Sequence, residues 1–184
     1  MPQAVISVVA TLAAALLGGW GSVSSSELYL QLDKPGWAPP GSVFGPVWTI
    51  LYILMAVAAV LVVLRAGRRS TGGALPLFYL QLGLNALWPW LFFRWRLGAL
   101  SLTEIVILLV VLLFTVIAFA RIHRVAAVLL LPYLAWVGYA TALTWSVWRR
   151  ISNCAGSNAR QARRDKASRT IKTQKGRFRY PLTP

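Results

Sequence analysis

Five stretches of about 20 mostly apolar residues, separated by polar breaks, limit what this chain can fold into more than any other feature. They run roughly over Val5–Val23, Val43–Leu64, Leu75–Phe93, Leu97–Ala120 and Val125–Trp148. Each matches the length a helix needs to cross the hydrocarbon of a bilayer, where every backbone N–H and C=O must be satisfied within the segment or by a closed barrel. A barrel would show ten-residue strands of alternating polarity, and these runs do not alternate. The expected fold is therefore all-α: a polytopic membrane protein built as a bundle of five transmembrane helices. Composition agrees, since 58% of the residues are hydrophobic and only 12% charged, against about 25% charged in soluble domains. The first run has no lysine or arginine before it, so it lacks the basic region of a signal peptide and reads as a retained span.

The net charge of +15 would suit a nucleic-acid binder. The positions of the charges argue against that. Of 19 basic residues, 11 follow the last apolar run, from Arg149 to Arg179. The other eight, Lys34, Arg65, Arg68, Arg69, Arg94, Arg96, Arg121 and Arg124, stand at segment ends or in connections. That is headgroup-level placement. Two domains are expected: a five-helix membrane domain over 1–150 and a basic tail over 151–184, poor in large apolar residues and disordered in water. The tail either attracts anionic lipid or only fixes topology, and by the positive-inside tendency it faces the cytoplasm. No nucleic-acid partner is expected. One cysteine (Cys154) and one histidine (His123) exclude a disulfide framework and any Cys/His metal cluster within the chain.

Pro76 falls in the first turn of the third run, where a missing N–H costs little, whereas Pro89 and Pro132 lie deeper and should bend their helices. The first connection, Ser24 to Ser42, is longer than the others and carries Tyr29, Trp37 and three prolines, which favours an ordered lid. Polar residues within the spans are where function is sought, because each is costly there. Glu104 is the one acidic residue inside a span; about two turns from Leu97, it either reaches back to the interface or sheds its charge. Gln81, Asn85 and Trp88 fall on one helical face at i, i+4, i+7, as interhelical glue or as the polar lining of a pocket. Trp48, Tyr52 and Met55 repeat the spacing on the second run, and Trp136, Ala140 and Leu143 on the fifth. An apolar cavity walled by aromatics with a few polar groups suits a large, flat hydrophobic ligand. No Ser/His/Asp set, phosphate loop or carboxylate pair is present, so binding is favoured over catalysis.

These residues resemble the translocator protein family, also called the tryptophan-rich sensory proteins (TspO). The matching blocks are Tyr29 with Lys34-Pro-Gly-Trp-Ala-Pro-Pro40, Gly45-Pro-Val-Trp-Thr-Ile-Leu-Tyr52, Gln81-Leu-Gly-Leu-Asn-Ala-Leu-Trp-Pro89 with Phe92-Phe93, and Leu131-Pro-Tyr-Leu-Ala-Trp136 with Ala140-Thr141 and Val147-Trp-Arg149. They occur in family order and spacing over roughly residues 3 to 150. The resemblance implies a five-helix bundle, often a homodimer, that binds porphyrins such as protoporphyrin and haem, sterols, and benzodiazepine-type drugs. It requires no cofactor; a porphyrin or haem would be ligand. It also implies a pocket beneath the first loop, with ligand contacts at Tyr29, Trp37 and Pro39, at Trp48 and Tyr52, at Asn85 and Trp88, and at Trp136, Ala140 and Leu143. Glu104 falls where many members carry an acid. Trp145 replaces the tyrosine of the sterol motif described in animal members, so porphyrin is the stronger expectation than sterol. Two alternatives stay open: light- or oxygen-dependent porphyrin breakdown, attributed to some relatives, and a stress-signalling adaptor. Members lie in the mitochondrial outer membrane of animals or in bacterial cell-envelope membranes.

Overall fold

The computed structural model describes residues 2–23, 29, 35–67, 71–95 and 97–149. The basic tail 151–184, the loop positions around Lys34, the connection bearing Arg68 and Arg69, and Arg96 lie outside the described residues. Five helices and no strands are found among those that are described: α1 (Pro2–Gly21), α2 (Phe44–Ala66, entered through a 3-10 turn at Gly41–Val43), α3 (Ala74–Pro89), α4 (Gly98–Ile122) and α5 (Arg124–Arg149). All but α3 are long and apolar enough to cross a membrane.

Helix α3 is short for a definite reason. Pro89 has no N–H and crowds the preceding turn, and the α-helical pattern stops there after 16 residues. The chain does not merely bend, as its sequence suggests; it widens into a π turn over Trp90–Arg94. The Trp95 N–H then donates to the Trp90 carbonyl at 2.8 Å. Such turns concentrate at functional sites because they re-aim side chains. Here the turn sends Trp90 toward α1 and buries Phe93. Pro132, in contrast, sits within an uninterrupted α5, and Pro76 lies in the first turn of α3 as its sequence position predicts.

Helix α1 buries Ser7, Thr11, Ala14, Gly18 and Gly21. Small side chains at spacings of three and four allow close backbone approach, the usual device where lipid supplies no hydrophobic drive between helices. The opposite face of α1 presents Leu12, Leu16 and Trp20 outward. Large apolar side chains point outward on every other helix too, among them Ile53, Leu80, Phe114 and Val128. An apolar belt of this extent belongs in lipid, and the chain is a membrane protein.

The dense part of the core occupies one half of the bundle. Met55, Ala58, Ala59 and Val62 of α2 meet Phe78 of α3, Leu112 and Phe119 of α4 and Leu130 and Tyr133 of α5, all fully buried. Phe78 stacks on Phe119 with centroids 5.7 Å apart. Polar bonds stitch the helices at the same level. The Tyr133 hydroxyl donates to Gln81 Oε1 at 3.0 Å, Gln81 Nε2 approaches Met55 Sδ at 3.9 Å, and the Ser7 and Tyr79 hydroxyls lie 2.9 Å apart. Gln81 thus acts as glue between α2, α3 and α5. His123 accepts the Ala126 N–H through Nδ1 at 3.3 Å, capping the start of α5. Glu104 turns into the bundle rather than toward an interface; both its carboxylate oxygens are buried with no hydrogen-bond partner among the described residues.

Candidate functional site

Toward the other end of α1, α2 and α3 the packing opens into a cavity of about 670 Å³. Its size is within the range of small-molecule sites, about 300–1,000 Å³. Helix α2 supplies Trp48, Tyr52 and Ala56; α3 supplies Asn85 and Trp88, with Phe93 from the π turn; α1 supplies Thr11, Ala15 and Gly18. Tyr29 and Phe44 close one end. No charged side chain is on its wall among the described residues.

Two polar side chains of this wall have donors without a partner among the described residues. Asn85 and Trp88 are 2% and 9% exposed, and the Asn85 Nδ2 and Trp88 Nε1 donors find no acceptor among the described residues. Buried donors are nearly always paired, so two without acceptors among the described residues, on side chains that line a cavity, single out this stretch of the wall. The Trp88 ring is held by a stacked contact with Phe92 (5.0 Å, 12°) and an edge contact with Phe93 (5.6 Å, 84°). The donor is therefore fixed in direction. The rings of Trp48 and Tyr52 meet at a tilt of 34° across one turn, centroids 5.7 Å apart, and Tyr52 Oη donates to the Ala14 carbonyl at 3.4 Å. Gly18 leaves room for that hydroxyl, because a Cβ there would stand 3.3 Å from it.

The cap is a network of rings and carbonyls. Tyr29 donates to the Pro39 carbonyl at 2.7 Å and meets Phe44 edge-on at 5.2 Å. Burial, and secondarily the Tyr139 hydroxyl, pushes the Tyr29 phenol above its usual range, keeping it a neutral donor. Tyr139 donates to the Trp37 carbonyl at 3.1 Å, and their rings meet edge-on at 5.6 Å. Residues 35–42 are thereby tied to α5 and to the start of α2.

The cavity is open on one side. Leu12, Ile53 and Val57 line it, yet each is on the outward face of its helix, at 59%, 58% and 44% exposure. The opening accordingly lies between α1 and α2, toward the lipid.

Of the positions expected at the pocket, Tyr29, Trp48, Tyr52, Asn85 and Trp88 line this cavity. Pro39 and Trp37 contribute carbonyls to the cap instead, with the Trp37 ring half outside. The α5 positions differ from expectation. Trp136 packs its ring against Phe44 (5.8 Å) and Tyr139 (5.8 Å), Leu143 lies in a small cluster with Tyr29 and Val147, and Ala140 packs against the main core. None of the three is on the wall. The reason is that the rings of Tyr133 and Trp136 fill the space between α5 and α2, against Trp48 (6.3 Å) and Phe44 (5.8 Å), while Tyr139 packs on Trp37. They back the wall without forming it. The contribution of α1 was not anticipated from sequence. Its signal was present in the three-and-four spacing of Ser7, Thr11, Ala14 and Gly18, which marks a close-approach face.

The TspO/MBR family profile matches residues 6–149. Among curated proteins, the chain is 38% identical over 124 residues to the tryptophan-rich protein TspO of Chlorobaculum tepidum, covering 67% of this chain and 78% of that one. It is 37% identical over 123 residues to the human translocator protein, covering 66% of this chain and 73% of that one. Over the same length it is 37% identical to the tryptophan-rich sensory protein of Cereibacter sphaeroides, covering 67% and 76%.

Proposed function

Because the chain belongs to the TspO/MBR family, we propose that it is a membrane binding protein and transporter for flat hydrophobic ligands, with tetrapyrroles such as protoporphyrin or haem as the leading class. One observation carries this reading: an aromatic-walled cavity of about 670 Å³ lined by Asn85 and Trp88, whose buried N–H donors have no acceptor among the described residues. Aromatic walls favour a flat ring by stacking and by area. The absence of charged side chains among the described wall residues bears on orientation. An ionised carboxylate buried there without a cation would cost several kcal/mol, so a tetrapyrrole enters ring first and leaves its propionates at the opening between α1 and α2. The same opening lets ligand exchange with the bilayer without crossing water. No reacting constellation accompanies the donors among the described residues, and the role proposed is binding rather than catalysis. In this reading the five helices cross the membrane in alternation, the first and third connections share one side, and the active form is a homodimer.

The donor pair also favours a second ligand class. Neutral molecules with a carbonyl acceptor, as in benzodiazepine-type drugs, match an amide and an indole N–H better than an anion does.

The test is titration of the purified full chain in detergent with protoporphyrin IX, followed by the shift of the porphyrin absorption band. Asn85→Leu and Trp88→Phe should each weaken binding about 2- to 10-fold, the loss of one hydrogen bond of about 0.5–1.5 kcal/mol. Trp136→Phe, behind the wall, should leave affinity unchanged. Equal affinity in wild type, Asn85→Leu and Trp88→Phe would remove the cavity from consideration.

A further inference from the structure

A second concavity, separate from the ligand cavity, lies between the start of α3 and the end of α4. It measures about 640 Å³ and is lined by Thr71, Gly73 and Leu77 on one side and by Phe114, Ile117 and Arg121 on the other. Phe114, Ile117 and Arg121 share one face of α4 at spacings of three and four. The face is turned outward, with Phe114 53% and Ile117 41% exposed. Along that face the chemistry changes in one direction. Arg121 is next to the last residue of α4, at headgroup level, and Phe114 lies two turns, about 10 Å, deeper among acyl chains.

Arg121 forms no ion pair and no hydrogen bond through its side chain among the described residues. None of the described residues neutralises this cation. Two further cations belong to the same end of the bundle, Arg65 in the last turn of α2 and Arg124 at the start of α5. The one described carboxylate within a span, Glu104, belongs near the opposite end of α4, six residues after Gly98. Nothing acidic in α4 competes for Arg121.

We propose that this groove is a binding site for one anionic glycerophospholipid. Its phosphate is held by the Arg121 guanidinium beside the Thr71 hydroxyl, and an acyl chain lies against Leu77, Ile117 and Phe114. Charge complementarity selects the headgroup, and the apolar floor selects an acyl-bearing amphiphile over a free phosphate ion. The guanidinium fork suits phosphate oxygens geometrically.

The experiment uses the full chain, delipidated in detergent and titrated with dioleoyl phosphatidylglycerol, dioleoyl phosphatidylcholine or inorganic phosphate, with bound lipid counted by native mass spectrometry. One phosphatidylglycerol should bind at least several-fold more tightly than phosphatidylcholine, and phosphate alone should not bind. Arg121→Gln, a change at an exposed position, should lower phosphatidylglycerol affinity about fivefold. Ala118→Phe, which fills the groove, should lower affinity for it without removing any charge. Arg124→Gln removes the same charge from the same end but not from the groove, and should have little effect. Equal affinity for the two lipids, equal effects of Arg121→Gln and Arg124→Gln, or an unaltered Ala118→Phe would each overturn the proposal. Porphyrin titration of Arg121→Gln should match wild type, which separates this site from the ligand cavity.

Discussion

Replacing Gly21 with alanine should destabilise the bundle, against the ordinary preference of helices for alanine. A Cβ at Gly21 would stand 2.8 Å from both Cδ1 and Nε1 of Trp90, far inside the contact distance of about 3.5–4.0 Å. The indole cannot simply step aside. Its N–H donates to the Leu17 carbonyl at 3.0 Å, and the rings of Trp20 and Trp95 flank it at 6.4 and 6.2 Å. Overpacking of this kind costs about 1–3 kcal/mol, and losing an interhelical bond in a membrane protein adds about 0.6 kcal/mol. The helix gains at most about 1 kcal/mol from replacing glycine. The net loss is about 1–2 kcal/mol, or a fall in Tm of about 2–8 °C for a domain of this size. Thermal unfolding in detergent, followed by loss of helical circular dichroism, reads the difference. Gly19→Ala is the matched control, since a Cβ there meets nothing within 4 Å, and its Tm should hold or rise. In a Trp90→Ala background the Gly21→Ala penalty should vanish. A Gly21→Ala protein as stable as Gly19→Ala, or a penalty that persists without Trp90, would refute the contact between α1 and the π turn.

Gln81→Leu should cost about 1–3 kcal/mol by leaving the fully buried Tyr133 hydroxyl without its acceptor, and adding Tyr133→Phe should recover most of that loss in the same melt. Tyr29→Phe removes the 2.7 Å bond to Pro39 and should speed porphyrin dissociation about 2- to 10-fold in stopped-flow displacement; an unchanged off-rate would show that the cap does not retain ligand. The dimethyl ester of protoporphyrin should bind at least as tightly as the diacid, because no cation lines the cavity among the described residues; strong preference for the diacid would contradict ring-first entry. Ile53→Trp, at the open side between α1 and α2, should slow porphyrin association, and an unaltered on-rate would place the entrance elsewhere.

The fold class, the approximate helix limits and the sharing of a helical face by Trp48 with Tyr52 and by Asn85 with Trp88 were readable from the residues alone, because these follow from local properties. Hydrocarbon thickness fixes the length of an apolar run, and spacing on one helix fixes which side chains share a face; Trp48 with Tyr52, and Asn85 with Trp88, were legible for that reason. What lay between helices was not. Gln81 shares a face with Asn85, yet it is consumed by Tyr133 and Met55 one turn away from the cavity. Trp136 and Leu143 stand seven residues apart, as Trp48 and Met55 do, and only the packing of Tyr133 and Trp136 against Trp48 and Phe44 of α2 puts them behind the wall. The π turn after Pro89, which aims Trp90 at α1 and Phe93 inward, depends on how the missing N–H is relieved, and a small-residue face on α1 is needed to receive it. Periodicity along one helix says which residues act together; which neighbour they meet is a matter of helix order and close approach, decided only when the five segments pack.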